Sequence, residues 1–316
     1  MPSMPRACLK FLLLIAVLLP ISSAAFELPR ELKGEVRKLF SQMTPPLPAS
    51  EFGKLPDGLE IVEGKGYRGL KLKQGKLELR VHTWLDDVGL LENYNRTDSE
   101  MKANGEVEVL TAAINGAFYS PRGVLGQLIS ETRLPPGVLQ IPGILSRSFL
   151  ATFRGAKKRQ FWYLGETSMK AHELFDPYNR SKAWFNTSTV FDSVIDNLIG
   201  GGGWILRDRQ DVHMEAYERQ RFRFRKEDQT SRKTVIAQDS DRNMYFLVFE
   251  TGHNFHMVAR TFVKDPAFAK VRDAIFLDGG SSSTIVLNGK YLVAPLYVVD
   301  KARFSCIQVL VPPTTW

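Results

Sequence analysis

Three segments of the sequence carry the residues best suited to chemistry, and in each an apolar run leads into small residues. They span residues 110–119, 198–206 and 274–284. The third is the most specific, because Asp278, Gly279-Gly280 and a run of hydroxyls follow an apolar strand. Glycine allows close approach of the backbone and exposes N–H groups to an anion. These groups together can bind a sugar and a phosphate, although each segment alone is also compatible with a tight turn.

At these residues the chain resembles the phosphodiester glycosidase family. The matching segments, which follow the family's order and cover about residues 60–310, are Asn115-Gly-Ala-Phe-Tyr119, Leu125-Gly126, Gly201 to Ile205, Arg232-Lys-Thr234 and Leu277 to Thr284. The sequence departs from the family pattern at four positions. Ala117 and Ser281 replace glycines, Gly203 replaces a proline, and Lys233 separates the Arg-Thr pair.

The resemblance implies cleavage of a sugar from a phosphodiester, at the anomeric C–O bond of a sugar-1-phosphate linkage. An arginine fork suits the leaving phosphate, so the resemblance makes Arg232 the first candidate for that role. The oxocarbenium-like sugar centre needs a carboxylate, for which Asp278 is the first candidate and Glu131 the second. Asn115 is the fourth candidate catalytic residue, and its amide is expected to hydrogen-bond the sugar or the phosphate. The predicted substrate-binding residues are Gly116, Thr234, Gly279, Gly280, Ser282 and Ser283.

Each carboxylate also has a purely structural interpretation. Asp278 is suited to capping a turn, and Glu131 to an exposed position in a loop. No cofactor is expected. His253 and His256 are spaced to share a helical face and to supply half of a zinc site, but no third ligand stands at a diagnostic spacing, so no metal is expected either.

Residues Arg219 to Lys226 alternate arginine with aromatic or polar residues. As a strand, this segment would place its arginines on one face and Phe222 and Phe224 on the other. The favoured interpretation is a surface strand whose phenyl rings cover the core. The alternatives are a cationic surface that leads an anionic glycan to Arg232, and a nucleic-acid site.

Short strands and a few helices are predicted to position these residues. Alternating patterns indicate strands at 77–83, 107–114 and 245–250, and helices are predicted at 188–198 and at 255–270 with a break at Pro266. Asp239 to Asn243 is predicted to form a hairpin turn, because it lacks the glycine and the distal glutamate of a calcium loop. Since strands outnumber helices without regular alternation, we predict an α+β fold: a mixed β-sheet core with flanking helices, in a single catalytic domain at 51–316.

The first 25 residues predict a secretory signal peptide, with the apolar run Phe11 to Leu19 and a cleavage site after Ala25. The run is shorter than the ~20 residues that cross a bilayer. Cleavage would lower the formal charge from +8 to +6, by removing Arg6 and Lys10, and would leave Cys306 as the one thiol. Export without disulfides is ordinary in a bacterial envelope. We therefore expect a periplasmic or secreted protein.

The composition excludes other classes of protein. With 44% hydrophobic and 24% charged residues in 316, the chain is neither disordered nor collagen-like, and two cysteines cannot build a disulfide scaffold or a four-cysteine zinc module. Residues 26–50 predict an amphipathic helix and a Pro-rich linker.

The basic balance favours an acidic partner, which for an exported protein is a phosphorylated glycan or sugar phosphate and not nucleic acid. The leading hypothesis is an exported hydrolase that cleaves sugar-1-phosphodiesters. The alternative is a non-catalytic envelope protein that binds anionic glycans. Association with the envelope and the oligomeric state stay open.

Overall fold

The computed structural model describes residues 46–84, 88–120, 123–124, 128–131, 147–154, 159–167, 174–175, 195–220, 222, 229–296 and 305–313. The predicted signal peptide, the part of the predicted helix and linker at 26–45, and the Leu125-Gly126 match lie outside these residues. From Pro46 onward the chain forms one compact unit. None of the helices within the described ranges is long and apolar enough to cross a membrane.

Strands dominate the described residues. They are β1 (Leu59–Gly64), β2 (Tyr67–Leu72), β3 (Glu78–Thr83), β4 (Val109–Asn115), β5 (Tyr119–Ser120), β6 (Gly123–Val124), β7 (Leu128–Ile129), β8 (Arg147–Arg154), β9 (Gln160–Thr167), β10 (Leu174–Phe175), β11 (Ile195–Arg207), β12 (Gln210–Asp211), β13 (Lys233–Asp239), β14 (Met244–Phe249), β15 (Val271–Phe276), β16 (Ile285–Leu287), β17 (Lys290–Val293) and β18 (Ser305–Val311). The helices are α1 (Leu90–Ala103), α2 (His213–Glu218) and α3 (Phe255–Lys264), and there are 3-10 turns at Ala49–Phe52, Pro266–Phe268 and Gly280–Ser282.

The strands form two large sheets. The larger has the order β1-β2-β14-β13-β15-β11-β8-β9-β10, with β7 and β12 also paired to β11; the smaller has the order β17-β16-β4-β18-β3, and β5 pairs with β6. Every pair of named strands is antiparallel. In the described ranges the one parallel contact is an isolated bridge between Gln74 and Leu77. The prediction of a mixed sheet is therefore wrong, because the sheets are antiparallel. Tight turns such as Asp239 to Asn243 connect neighbouring strands directly, and such turns can join only antiparallel strands.

The two sheets pack face to face, and helices cover their outer faces. Ile236 of β13 and Ile114 of β4 belong to the hydrophobic core between the sheets. Val235 faces the other way and packs against Phe262 of α3, as the period-2 alternation of a strand requires. On the smaller sheet, α1 covers the buried thiol of Cys306. The fold is thus mainly β-sheet with few helices, and in this coarser form the α+β prediction is confirmed.

Most predicted elements agree with the structure. Strands β3, β4 and β14 form where alternation predicted them, and the segment from Asp239 to Asn243 is a turn. Helix α3 begins after Asn254, whose side chain accepts a hydrogen bond from the Met257 amide, and it ends before Pro266 as predicted.

The predicted helix at 188–198 is wrong in its described part. Residues from Ile195 onward form β11, which pairs with β8 on one side and β15 on the other. Ile195, Leu198 and Ile199 are all buried within this sheet. The burial available between two neighbouring strands outweighs the local helical spacing.

Candidate active site

A cleft of about 210 Å³ opens where β15 ends. Asp278, two residues beyond the strand, lines it together with Gly279 and Gly280. Aromatic rings form much of the remaining wall, and two cationic residues also line it. The rings are those of Phe118, Tyr217, Phe255 and Phe276, and the cationic residues are Arg232 and Lys233.

Antiparallel pairing brings the glycine-rich segments to this cleft. Phe276, the last residue of β15, lies opposite Val235 near the start of β13 and opposite Gly203 of β11. A Cβ atom at Gly202 would lie 1.8 Å from the Phe276 carbonyl oxygen, so only glycine permits this approach of β11 to β15. The second glycine-rich segment therefore supports the end of the strand that delivers Asp278.

Asn115 ties the first and third segments together. Its Nδ2 donates to the Asp278 carbonyl oxygen at 2.7 Å, and its Oδ1 accepts from Thr234 Oγ1 at 3.0 Å and from the Thr284 amide at 3.1 Å. Thr234 Oγ1 also lies 2.9 Å from Ser283 Oγ. Since the single hydroxyl proton of Thr234 goes to Asn115, the Ser283 hydroxyl is the donor in this last contact.

This network lies between the sheets and not in the cleft. Asn115, Thr234 and Ser283 are almost fully buried, and none of them lines the cleft. Gly116 lies beside the network, where its N–H donates to the Ser305 carbonyl oxygen at 3.0 Å and its carbonyl accepts from the Asp278 amide. The structure thus brings together these four predicted site residues, in positions that orient Asp278.

Among the described residues, Asp278 is the one carboxylate that lines the cleft. Burial raises the pKa of its side chain to about 6, although hydrogen bonds from the Ser282 side chain and the Gly279 amide act in the opposite direction. The Gly279 amide donates to Asp278 Oδ1 at 3.0 Å. The next residue, Gly280, has a φ of 65°, in the left-handed region that favours glycine. The predicted Gly279, Gly280 and Ser282 therefore form the turn that holds the carboxylate.

The two cations of the cleft have different partners. Arg232 makes a two-pronged ion pair with Glu250, at 2.7 and 3.0 Å, and its third nitrogen donates to the Ala294 carbonyl oxygen at 2.5 Å. Lys233 Nζ contacts the Ser231 carbonyl oxygen and hydroxyl at 2.6 and 2.9 Å, and lies 5.6 Å from the centre of the Phe255 ring.

Strand alternation explains this arrangement. Lys233 and Thr234 are consecutive in β13, so their side chains face opposite sides of the sheet. Thr234 enters the network with Asn115, and Lys233 faces the aromatic wall of the cleft. The sequence showed Lys233 only as an interruption of the Arg-Thr pair; its position immediately before Thr234 was the available clue.

Other predicted features lie elsewhere. Glu131 is not on the cleft wall; its side chain is 65% exposed and pairs with Arg80 at 3.5 Å. Arg219 directly follows the last residue of α2 and does not begin a strand, and it pairs with Glu166 and Glu215. Of the segment from Arg219 to Lys226, only Arg219, Gln220 and Phe222 are described, and Phe222 packs 4.8 Å from the Phe276 ring. The prediction of a surface strand that starts at Arg219 is therefore wrong for this first residue, which lies at the end of a helix.

The histidine pair proposed from sequence is also separated. His253 precedes α3 and lies 3.2 Å from the Glu250 carbonyl oxygen, whereas His256 lies within α3 and contacts Asp211 at 2.7 Å. Because Asn254 caps the helix and His253 lies before this cap, the two imidazoles do not share a helical face.

Removal of the Asn115 side chain tests the supporting network. We expect Asn115→Ala to lower the free energy of unfolding by about 3–5 kcal/mol, because three buried partners lose their hydrogen bonds. Urea unfolding of this variant and of Asn95→Ala, which changes an exposed residue of α1, provides the measurement. The control is expected to stay within about 0.5 kcal/mol of the parent protein. Similar losses for both variants would contradict a supporting role for Asn115.

Comparisons with known proteins agree with this fold. Residues 109–303 match the model of the phosphodiester glycosidase family. The catalytic domain of zebrafish N-acetylglucosamine-1-phosphodiester alpha-N-acetylglucosaminidase, auto-inhibited by its pro-peptide, aligns with a TM-score of 0.53 and 18% identity, over 80% of this chain and 81% of that one.

Two bacterial structures are similar as well. A Synechocystis protein aligns with a TM-score of 0.50 and 14% identity, over 80% of this chain and 61% of that one. A Burkholderia pseudomallei protein described as exported aligns with a TM-score of 0.52 and 11% identity, over 78% and 74% of the two chains. No curated protein sequence matches the chain. At these identities the structures show a common fold.

Proposed function

Because the chain belongs to the phosphodiester glycosidase family, we propose that it is an exported hydrolase that cleaves the glycosidic bond of a sugar-1-phosphodiester. The substrate class is a phosphorylated glycan or a capped sugar phosphate. Family membership supports the reaction type, and the chemistry of the cleft supports the assignment of individual residues.

The observation that carries the proposal is the position of Asp278. Its carboxyl group, with a pKa of about 6, stands on the wall of a cleft that also holds aromatic rings and Lys233. Aromatic rings suit the apolar face of a sugar, and a cation suits a phosphate. A purely structural carboxylate would need no such cleft beside it.

The proposed reaction divides the work between Asp278 and the cationic side of the cleft. Water adds to the anomeric carbon while the C–O bond to phosphate breaks, and the phosphate leaves with the electron pair. Phosphate is a weak base, so it needs its charge held more than it needs a proton. Asp278 in its ionised form either accepts a proton from the attacking water, or stabilises the positive sugar centre while that proton passes to solvent.

Lys233 is the cation that we assign to the phosphate, in place of Arg232. The guanidinium of Arg232 pairs with the Glu250 carboxylate and donates to the Ala294 carbonyl oxygen, so binding phosphate would require it to give up an anionic partner. Lys233 Nζ contacts the carbonyl oxygen and hydroxyl of Ser231, which carry no charge. Arg232 then acts as a positioning residue, whose carbonyl oxygen accepts from the Gly280 amide at 2.9 Å in the turn beside Asp278.

Export remains part of the proposal. It is supported by the apolar amino-terminal segment with small residues before Phe26, and by the similarity to a Burkholderia protein described as exported. In that setting the basic balance of the chain favours an envelope glycan over nucleic acid as partner.

A panel of sugar-1-phosphodiesters tests the proposed activity. We expect the protein to release free sugar and phosphomonoester from at least one member, with products measured by phosphorus NMR and by reducing-sugar assay. Methyl glycosides of the same sugars, which lack the phosphate, serve as matched controls and should be cleaved at least about 10²-fold more slowly. Binding of panel members without release of sugar from any of them would instead support the alternative of a non-catalytic glycan-binding protein.

A further inference from the structure

Asp211, His213 and His256 bring three potential metal ligands together outside the cleft. Asp211 ends β12, His213 is the first residue of α2, and His256 lies in the first turn of α3. His213 Nδ1 lies 2.5 Å from Asp211 Oδ1, and His256 Nδ1 lies 2.7 Å from Asp211 Oδ2. One ligand atom from each residue lies within 4.8 Å of the other two.

This donor set matches the preferences of a divalent transition-metal ion. Imidazole nitrogen and carboxylate oxygen bind Zn²⁺ at about 2.0–2.2 Å, so tetrahedral ligands stand roughly 3.4 Å apart. The carboxylate would have to withdraw from the two rings by less than about 1 Å to admit such an ion. The His256 side chain is 49% exposed and that of Asp211 is 25% exposed, so an ion can enter from solvent and keep a water ligand.

The electrostatic setting limits the expected affinity. The amino-terminal ends of α2 and α3 carry partial positive charge, which disfavours a cation. Asp211 offsets this charge, and its Oδ1 also accepts from the His213 backbone N–H at 3.2 Å. Two neutral imidazoles and one carboxylate leave the loaded site with a single net positive charge. An affinity in the micromolar range is therefore expected, rather than that of a closed structural zinc site.

We propose that Asp211, His213 and His256 bind a divalent transition-metal ion, with Zn²⁺ as the representative. The site is separate from the proposed catalytic residues, because none of the three ligands lines the cleft. It is nevertheless adjacent to the cleft: the His213 ring lies 6.3 Å from that of Tyr217, and His256 follows Phe255 directly. A bound ion would clamp α2 to α3, the two helices that supply these aromatic walls.

Isothermal titration of the chelator-treated protein with Zn²⁺ near pH 7.5 tests the proposal. We expect one ion per chain with a Kd of about 1–10 μM, and a higher Tm when the ion is present. His256→Ala and Asp211→Asn should each weaken binding at least about 10-fold. The matched control is His253→Ala, which removes a histidine three residues away that contacts the Glu250 carbonyl oxygen instead.

Circular dichroism of each variant verifies that it is folded. Equal binding by His256→Ala and the parent protein would overturn the proposal, as would the lack of saturable binding by the parent at 100-fold the expected Kd. Loss of binding in His253→Ala alone would do the same. Since the titration needs no substrate, failure of this proposal is distinguishable from failure of the proposed hydrolase activity.

Discussion

Asp278→Asn is expected to lower kcat/KM by roughly 10³-fold while raising the stability of the folded protein above pH 6. The loss of activity follows from the proposed role of the carboxylate, since an amide neither accepts a proton from water nor neutralises an oxocarbenium-like centre. The amide oxygen can still accept the hydrogen bonds that the Gly279 amide and the Ser282 side chain give to Asp278, so the turn is expected to keep its shape.

The gain in stability follows from the raised pKa of Asp278. Its value is about 6 in the folded protein, against 3.8 for an ordinary aspartate, so the folded state holds the proton more tightly than the unfolded chain does. The ionised carboxylate therefore costs stability above pH 6, by about 1–2 kcal/mol after allowance for its partial exposure. This cost disappears as the pH falls through 6 towards 4, and the advantage of the asparagine variant should disappear with it.

Two measurements check this expectation. Thermal unfolding of the parent and Asp278→Asn proteins between pH 4 and 8 should show Tm values that converge at low pH and separate at high pH. The activity of the parent should rise as the pH rises through about 6, because Asp278 works in its ionised form. An asparagine variant that is less stable than the parent at pH 8 would identify Asp278 as a turn-capping residue, which is the structural interpretation that the sequence left open.

The motifs predicted the family, but not which side of the sheet each candidate residue faces. The match of residues 109–303 confirms the family. Asn115, Thr234 and Ser283 were predicted to contact substrate because they are polar and lie within the motifs. They instead form a buried network, since β4 and β13 lie in different sheets whose inner faces meet there. The side of the sheet to which a side chain points depends on how strands distant in sequence pair with one another. Local residue spacing does not encode this pairing.

Two of the departures from the family pattern, at Ala117 and Gly203, are accommodated locally. Ala117 is buried in the core between the sheets, and its amide donates to Ser305 Oγ at 3.1 Å, so the extra methyl group fills space without removing a hydrogen bond. At Gly203 an added Cβ would lie 2.7 Å from the Phe276 ring and 2.9 Å from Gln220 Oε1. In this chain a Phe276 ring and an amide thus occupy the space that a proline there would need. These contacts could not be inferred from the motif, because Phe276 and Gln220 are distant in sequence.

Lys233→Met is expected to lower kcat/KM about 10²-fold for a phosphodiester substrate, the scale seen when one stabilising donor is removed from an active site. Methionine retains the length and apolar stem of lysine, so the packing against Phe255 should persist while the charge is lost. The effect should depend on phosphate: binding of inorganic phosphate should weaken in parallel with catalysis, whereas binding of the free sugar should change little.

Lys233→Arg is the matched conservative variant, because it retains the charge and creates the Arg-Thr pair of the family pattern. It is expected to keep activity within about 10-fold of the parent, since a guanidinium also binds phosphate but is bulkier than an ammonium. Arg232→Lys, in contrast, breaks the two-pronged pair with Glu250. This variant should have a lower Tm than the parent, while its affinity for phosphate should change little. If Arg232→Lys lost phosphate binding while Lys233→Met retained it, Arg232 would be the phosphate-binding cation, as the motif first suggested. Phosphate binding by Lys233→Met and Arg232→Lys therefore decides which cation of the cleft binds the leaving group. Lys233 faces the aromatic wall, whereas Arg232 is paired with Glu250.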